Sequence, residues 1–553
     1  MFKKNGFIAS LISLLCMSCS INNDDDIKLI ALGTLSETKE TSTEIMNAKT
    51  PIVSGNTMLI SPDGSAVTFT CNAEGVEDGT LSYQWYTRGD ETSTNGSAIE
   101  GATSAVYTTS ELTKGIHYYY CTVTNTITDN GDGGKKTAAG TLGFTVAYTG
   151  LPVLYLDTEI ETELITKESY THGIMKIISE EYGDFEYTFS KEKEGIKGRG
   201  NSSWAFPKKG YNIKFDKKQT LFNLPKSKKW CIVANYRDKT LIRNNLSSVL
   251  GTKVFNSEWN ASFIYVDLVM NGEYMGNYIF CEKITLDENR VDIQDISDYG
   301  KSKYSDINQD GTVDLNDGGF ILEVDVRKDA DFYFTSTQGV VFTLKDPDEV
   351  SMEIQDHIQN IVQQTEDILY GENFKDENLG WKKYLDIDSF IDWFLVNEFS
   401  KYHDSSFQTS VYLFYDPNDG KIHMGPNWDF DLGFGNSGDY YTDYKYDGWL
   451  IKNAKWISRL FEDELFVQNV KQRWNEKKFE LFYYMNTSVW NLYNDIQISA
   501  NYNFLRWNIL GTNIDNYSPP GYENRTSYQS EVDYLIDWCN KRYQWLDTAI
   551  NDL

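Results

Sequence analysis

Histidine is scarce, at 5 in a chain of 553 residues. With no HExxH segment either, a zinc-hydrolase site is not favoured. No GxxxxGK[ST] occurs, which excludes the P-loop class. Basic residues are in deficit, with 51 Lys and Arg against 81 Asp and Glu, for a net charge of −30. A nucleic-acid protein needs a basic footprint to neutralise phosphates, so no nucleic-acid partner is expected. Beyond the N-terminal leader no stretch reaches the roughly 18 apolar residues a membrane span requires. Aromatic residues, by contrast, are plentiful: 37 Tyr and 14 Trp contribute to a 14% share. That content suits β-rich or glycan-facing proteins. At about 150 residues per domain the length predicts roughly three to four domains.

The chain opens on the basic start Met1-Phe2-Lys3-Lys4, followed by a largely apolar run from Phe7 to Met17, then Ser18 and Cys19. Residues 1–19 read as a secretory signal peptide, too short to span a bilayer. The small residue before Cys19 matches a bacterial lipoprotein cleavage site, with Cys16 and Met17 as loose matches. Lipidation at Cys19 would anchor the chain to a membrane, and Asp24-Asp25-Asp26 resembles a surface-export tag. The expected location is therefore the outer membrane or cell surface. The alternative is a plain signal peptide before an acidic linker. Residues 20–50 are polar and read as a tether.

From 51 to 148 short β-branched and aromatic runs alternate with turn residues: Ala66 to Thr70, Leu81 to Tyr86, Tyr118 to Thr124 and Leu142 to Val146. This spacing predicts an all-β sandwich. Cys71, Trp85 and Cys121 follow the order of an immunoglobulin-like domain, and Tyr119 suits its tyrosine corner. Such a module reads as a rigid spacer.

Residues 151–553 form one large α+β unit with two lobes. The β-rich lobe, about 151–345, contains Tyr211 to Phe215, Trp230 to Ala234, Phe263 to Val269 and Tyr278 to Phe280, with Asn271-Gly272 marking a tight hairpin. A helix is predicted after Asp238. The helical lobe, about 346–553, shows helical spacing at Ile354, Ile358, Ile361 and Val362, and again at Phe390, Ile391, Phe394, Leu395 and Phe399. Further helices are predicted over 456–485 and 528–550. Cys231 and Cys281 are either a second disulfide or two buried thiols.

Four segments carry candidate chemistry. In Lys197-Gly198-Arg199-Gly200-Asn201-Ser202-Ser203, followed by Pro207-Lys208-Lys209, glycines let backbone N–H groups approach an anion, while Arg199, Lys208 and Lys209 add positive charge. Asp404, on a loop after a helix, can accept a proton from a hydroxyl nucleophile. In Trp428-Asp429-Phe430-Asp431, strand spacing would put both carboxylates on one side, where a hard cation such as Mg²⁺ or Mn²⁺ would neutralise them. Separately, Asp306, Asn308, Asp310, Asp314 and Asp317 occupy oxygen-ligand positions of an EF-hand-type loop over 306–317. Thr312 supplies a carbonyl and Gly311 the sharp turn. That loop predicts a structural Ca²⁺ site inserted in the β-rich lobe.

Across roughly residues 152–490 the chain resembles the CotH kinase family, known from spore-coat, secreted and surface proteins. The resemblance rests on Gly198 to Ser203 with Pro207-Lys208-Lys209, Trp230 to Asn244, Asn271 to Tyr278, Glu282-Lys283-Ile284, Gly318 to Glu323, Asp404, and Trp428 to Asp431. It implies an atypical protein-kinase-like fold that transfers the γ-phosphoryl of ATP to protein Ser or Thr. Asp404 would then be the catalytic Asp, Asp429 the metal-binding Asp and Asp431 its support. Arg199, Lys208 and Lys209 would contact phosphates, and Glu282 and Glu323 would pair a lysine or contact nucleotide. The family pattern is broken at one point: no Asn follows Asp404 within Ser405 to Ser410. Gln408 or Ser410 is left as substitute, or the metal site is weaker. The rival expectation is a non-catalytic surface lipoprotein that binds a glycan or protein through a degenerate kinase-like fold.

Overall fold

In the computed structural model the described residues are the backbone of 36–39 and residues 48–553, except 75–78, 94, 129–135, 302–313, 440 and 442. The leader, Cys16, Cys19 and loop positions Asp306, Asn308, Asp310 and Thr312 lie outside them.

The β-branched and aromatic runs of the N-terminal region become strands. One sheet orders Ser36–Lys39, Lys136–Tyr148, Gly115–Ile127, Thr80–Arg88 and Ser97–Ala98, with Met58–Ile60 also alongside Lys136–Tyr148. Two small sheets pair Ile52–Ser54 with Asn72–Glu74 and Thr68–Thr70 with Val106–Thr108. Between them Trp85 packs 4.8 Å from Phe144 and Phe69 packs 5.1 Å from Phe144, centroid to centroid. Cys71 and Cys121 are buried free thiols in this core.

The mixed α/β region that follows is built on two sheets. The larger runs in the order Phe185–Phe189, Gly173–Ile178, Val153–Thr158, Phe263–Met270, Glu273–Glu282, Ser227–Val233, Gly210–Gln219, Gly195–Arg199. The smaller runs Tyr333–Thr335, Val341–Asp346, Phe320–Val324, Val411–Asp416, Lys421–Met424. Its last two strands come after helices Met352–Tyr370 and Ile387–Ser400, so strands persist well into the part of the chain where helical periodicity dominates. Asn271 and Gly272 turn the central hairpin with φ of 49° and 80°, the left-handed pair of a type I′ turn.

Side-chain alternation divides the large sheet between two cores. Trp230, Ile232, Tyr278 and Phe280 face one core. Cys231, Ile279 and Cys281 face the other, which they share with the helices. Helix Arg243–Lys253 carries Leu246 and Leu250 into that second core. Helix Ile387–Ser400 starts where the Asp386 side chain accepts from Ser389 N and stops at Lys401, which turns left-handed at φ 50°. The 43-residue helix Glu464–Arg506 and helix Tyr528–Asn551 close the far side.

The two regions meet through buried polar contacts. Thr149 Oγ1 donates to Asp267 (2.6 Å), and Tyr502 Oη donates to the carbonyls of Leu59 (2.7 Å) and Thr145 (3.2 Å). Ile60, Ala147, Val153, Val269, Tyr274 and Tyr502 form an apolar cluster across this junction.

Candidate active site

The edge strand Gly195–Arg199 ends in a short helical turn, Ser202–Ala205, before the chain returns along Gly210–Gln219. Both flanking glycines have a steric reason. The Trp204 ring lies where a Gly198 side chain would start, 2.3 Å from an ideal Cβ. Gly200 adopts φ +102°, a conformation that L side chains rarely adopt. The turn bends over a cavity of about 500 Å³ between the large and small sheets.

Arg199, Lys208, Glu323, Asp404, Asp429 and Asp431 all line this one cavity. The Arg199 guanidinium sits 5.5 Å above the Trp428 ring. Burial opposes its charge, but Cys231 and the Asp429 carboxylate outweigh that and hold its pKa above the ordinary arginine value. Glu323 is ion-paired with Lys345 (2.7 Å) and accepts from Ser410 N (3.1 Å).

Asp404 lies on the loop past helix Ile387–Ser400 and accepts from Tyr402 Oη (2.8 Å). Ser405 Oγ, on the same loop, donates to Asn397 Oδ1 (2.6 Å), and Asn397 Nδ2 donates to Asn427 Oδ1 (3.0 Å). This relay ties the Asp404 loop to the segment carrying Asp429 and Asp431. That segment is not a strand. Asp429 stands at φ 67° and Phe430–Leu432 is a 3-10 turn, so a turn, and not strand alternation, brings both carboxylates to the cleft. Phe430 N donates to Asn244 Oδ1 (2.7 Å), and Asn436 Nδ2 donates to Asp431 O (2.6 Å). Phe407, Ser410, Asp429 and Phe434 all have positive φ, so uncommon backbone conformations collect around the site.

The electrostatics call for a cation. Burial, then the neighbouring Asp429 charge, push the Asp431 carboxyl far above the usual carboxylate range. Burial also raises Asp404; the Tyr402 hydroxyl opposes the shift and Asp429 adds to it. Asp404, Asp429 and Asp431 line one cleft and offer hard oxygens that suit a divalent cation, but their oxygens do not all lie within 4.8 Å of one another as a three-carboxylate set. Around them Lys167, Lys197, Arg237, Lys283, Arg327 and Lys345 also line the cavity. In a chain of net charge −30 that concentration of cations suits a polyanion.

Some residues singled out in the sequence point elsewhere. Lys208 reaches the cavity wall, but its Nζ donates to the Asn277 carbonyl and lies 4.4 Å from the centre of the Tyr278 ring. Lys209 is outside the lining; its Nζ donates to the carbonyls of Trp204 (2.7 Å) and Phe206 (3.1 Å). Glu282 is buried away from the cleft, accepting from Ser262 N (3.1 Å) with Arg290 at 3.9 Å. Gln408 is not in the lining, whereas Ser410 is. Asp314 and Asp317, the described acidic positions of the 306–317 loop, form a reciprocal cap around the turn Leu315–Asp317.

Lys283 brings a cation to the cavity lining, whereas Lys208 and Lys209 commit theirs to backbone carbonyls. It follows strand Glu273–Glu282, and its ammonium has no hydrogen-bonding or ion-pair partner among the described residues. Burial lowers its pKa. Arg327 reaches across the cleft: it pairs with Asp325 (3.0 Å), donates to Thr409 Oγ1, and meets the Asn201 amide oxygen of the glycine turn at 2.7 Å in that amide's favourable orientation. Lys283, one residue past the strand, falls on the face of Ile279 and Cys281.

A family profile described as CotH kinase protein matches residues 196–546, more than half of the chain. The chain belongs to the CotH kinase family. The matched segment spans the glycine turn, Lys283, Asp404, Asp429 and Asp431, and every residue lining the cavity except Lys167 and Glu168. No curated protein matches the chain. A kinase family brings ATP and a divalent cation as the expected cofactors, and the cavity's cations and carboxyl groups fit both.

Proposed function

We propose that the CotH domain transfers the γ-phosphoryl of ATP to a Ser or Thr hydroxyl of a protein, as part of an exported, lipid-anchored surface protein. The observation that carries this reading is the convergence of Asp404, Asp429, Asp431, Arg199 and Lys283 on one cavity. Phosphoryl transfer needs positioning and charge neutralisation more than covalent chemistry.

Arg199 and Lys283 would bind phosphate oxygens, and the Arg327–Asn201 contact ties the glycine turn to the opposite wall of the cavity. Asp429 and Asp431 would hold Mg²⁺ or Mn²⁺, which when bound neutralises phosphate charge. Asp404, oriented by Tyr402, accepts the proton of the attacking hydroxyl at a carboxylate oxygen. The N-terminal sheets, with Cys71, Trp85 and Cys121 in their core, are read as an immunoglobulin-like sandwich that lifts the kinase domain from a membrane reached through lipid at Cys19. Residues 306–317 are read as a structural Ca²⁺ loop. The absence of Asn from Asp404 to Ser410 supports a second reading, a non-catalytic module that binds a surface glycan or protein.

A thermal-shift titration with ATP and Mg²⁺ or Mn²⁺ at constant Ca²⁺, beside Asp429→Asn, tests the first reading. Ligand at about 100 times its Kd stabilises by roughly 2.7 kcal/mol. A metal-dependent shift lost in Asp429→Asn is expected. No shift with either metal would move the assignment to the binding module.

A further inference from the structure

We propose that Cys231 and Cys281 are a redox-active cross-strand pair beside the cleft, joined as a disulfide on oxidation.

Cys231 on Ser227–Val233 is directly opposite Cys281 on Glu273–Glu282 in the antiparallel register. Directly opposed residues of antiparallel strands have Cα atoms about 4.5–5.5 Å apart and side chains on one face. That separation falls inside the roughly 4.4–6.8 Å of disulfides. Both thiols are free and share one core. Only Cys231 also lines the cavity, where its Sγ donates to Asn212 Oδ1 (3.3 Å). Cys231, 2% exposed, is thus the thiol nearer the cleft, and Cys281 stands directly opposite it on the next strand.

The step balances with a small-molecule disulfide as oxidant. The Cys231 thiolate attacks one of its sulfurs, breaking that S–S bond and expelling a thiolate. Cys281 loses its proton and attacks Cys231 Sγ, expelling the second thiolate. The protein gives up two electrons and the reagent leaves as two thiols.

The test uses the full chain treated with hydroxyethyl disulfide or with dithiothreitol. Alkylation under denaturing conditions and peptide mapping follow, so that the 231–281 link is read separately from any link between Cys71 and Cys121. A linked 231–281 peptide is expected after oxidation, while Cys281→Ala stops at a mixed disulfide on Cys231. Free thiols at both positions after oxidation would overturn the pair.

Discussion

Replacing Lys283 with Met separates a lysine held for a ligand from lysines held by the fold. Lys283 lines the cleft with an unpartnered ammonium, whereas Lys208 Nζ is spent on the Asn277 carbonyl. A charge-assisted hydrogen bond contributes about 1.5–3 kcal/mol, so losing one to a phosphate should weaken Mg²⁺-ATP by roughly 10- to 150-fold. Stability should move the other way. Burial disfavours the Lys283 ammonium, and Met keeps the length of the stem without the charge, so the unliganded chain should melt at the same temperature or higher. Lys208→Met should invert the pattern. It strips the Asn277 carbonyl of a buried donor, at a cost of about 1–3 kcal/mol, and should change nucleotide affinity severalfold at most. Calorimetric titration gives the affinities, and thermal melts without ligand give the stabilities. Wild-type affinity in Lys283→Met would refute the assignment. So would a folded Lys208→Met that no longer binds nucleotide.

Two further outcomes follow from buried charge. Arg542, fully buried, holds Glu398 (2.6 Å) and the carbonyls of Tyr446 and Gly448, while Glu398 also accepts from Leu450 N and Lys452 N. Arg542→Met should destabilise by about 3–5 kcal/mol by stranding the carboxylate, and adding Glu398→Gln should recover part of it; denaturant melts of both variants check this. His423 is set between Glu258 (2.6 Å) and Asp419 (3.2 Å). Burial works against its charge, but these carboxylates and Asp386 raise it to about 9. Its pKa rises on folding, so its contribution is fully present below about pH 6.5 and disappears as pH climbs through 9. With exposed partners that contribution is about 1–2 kcal/mol. The melting difference between wild type and His423→Gln should therefore shrink from pH 6 to pH 10, and a constant difference would count against the charged imidazole.

Much of the scaffold was legible because its signals are local. The periodicity from Ile354 to Val362 and from Phe390 to Phe399 emerges as helices Met352–Tyr370 and Ile387–Ser400. Asn271-Gly272 makes its turn with residues that tolerate positive φ. Asp429 and Asp431 could be picked out because two carboxylates alternating with large aromatics are costly unless used, and Asp404 because the family resemblance singles out the loop Asp after the helix. The cation assignments were harder. Lys208 and Lys209 stand beside the glycine turn in sequence, but Nζ lies about five bonds from the backbone and finds whichever carbonyl packing leaves open. For Glu282 and Lys283, opposite faces follow from alternation. Which face meets the cleft depends on the second sheet, whose strands lie between 320 and 424 and were not readable as its partners.

The contact between the two regions bears on how the N-terminal sheets and the cleft relate. Asp267, fully buried, accepts from Thr149 on the connecting segment and also from Tyr274 and Ser499 of the kinase domain. Its pKa is raised by burial, and the three hydroxyl donors and Lys208 oppose that shift. Asp267 in turn supports the charge of Lys208, which burial otherwise suppresses. Lys208 fixes the end of the segment that carries the glycine turn back to Gly210. A single buried carboxylate thus links Thr149 on the connecting segment to the charge of Lys208 in the cavity wall. A spacer that served only to add distance would need no such buried link. By this geometry the N-terminal sheets hold the kinase domain in a set orientation, and loosening Thr149 should be felt at the glycine turn as well as at the junction.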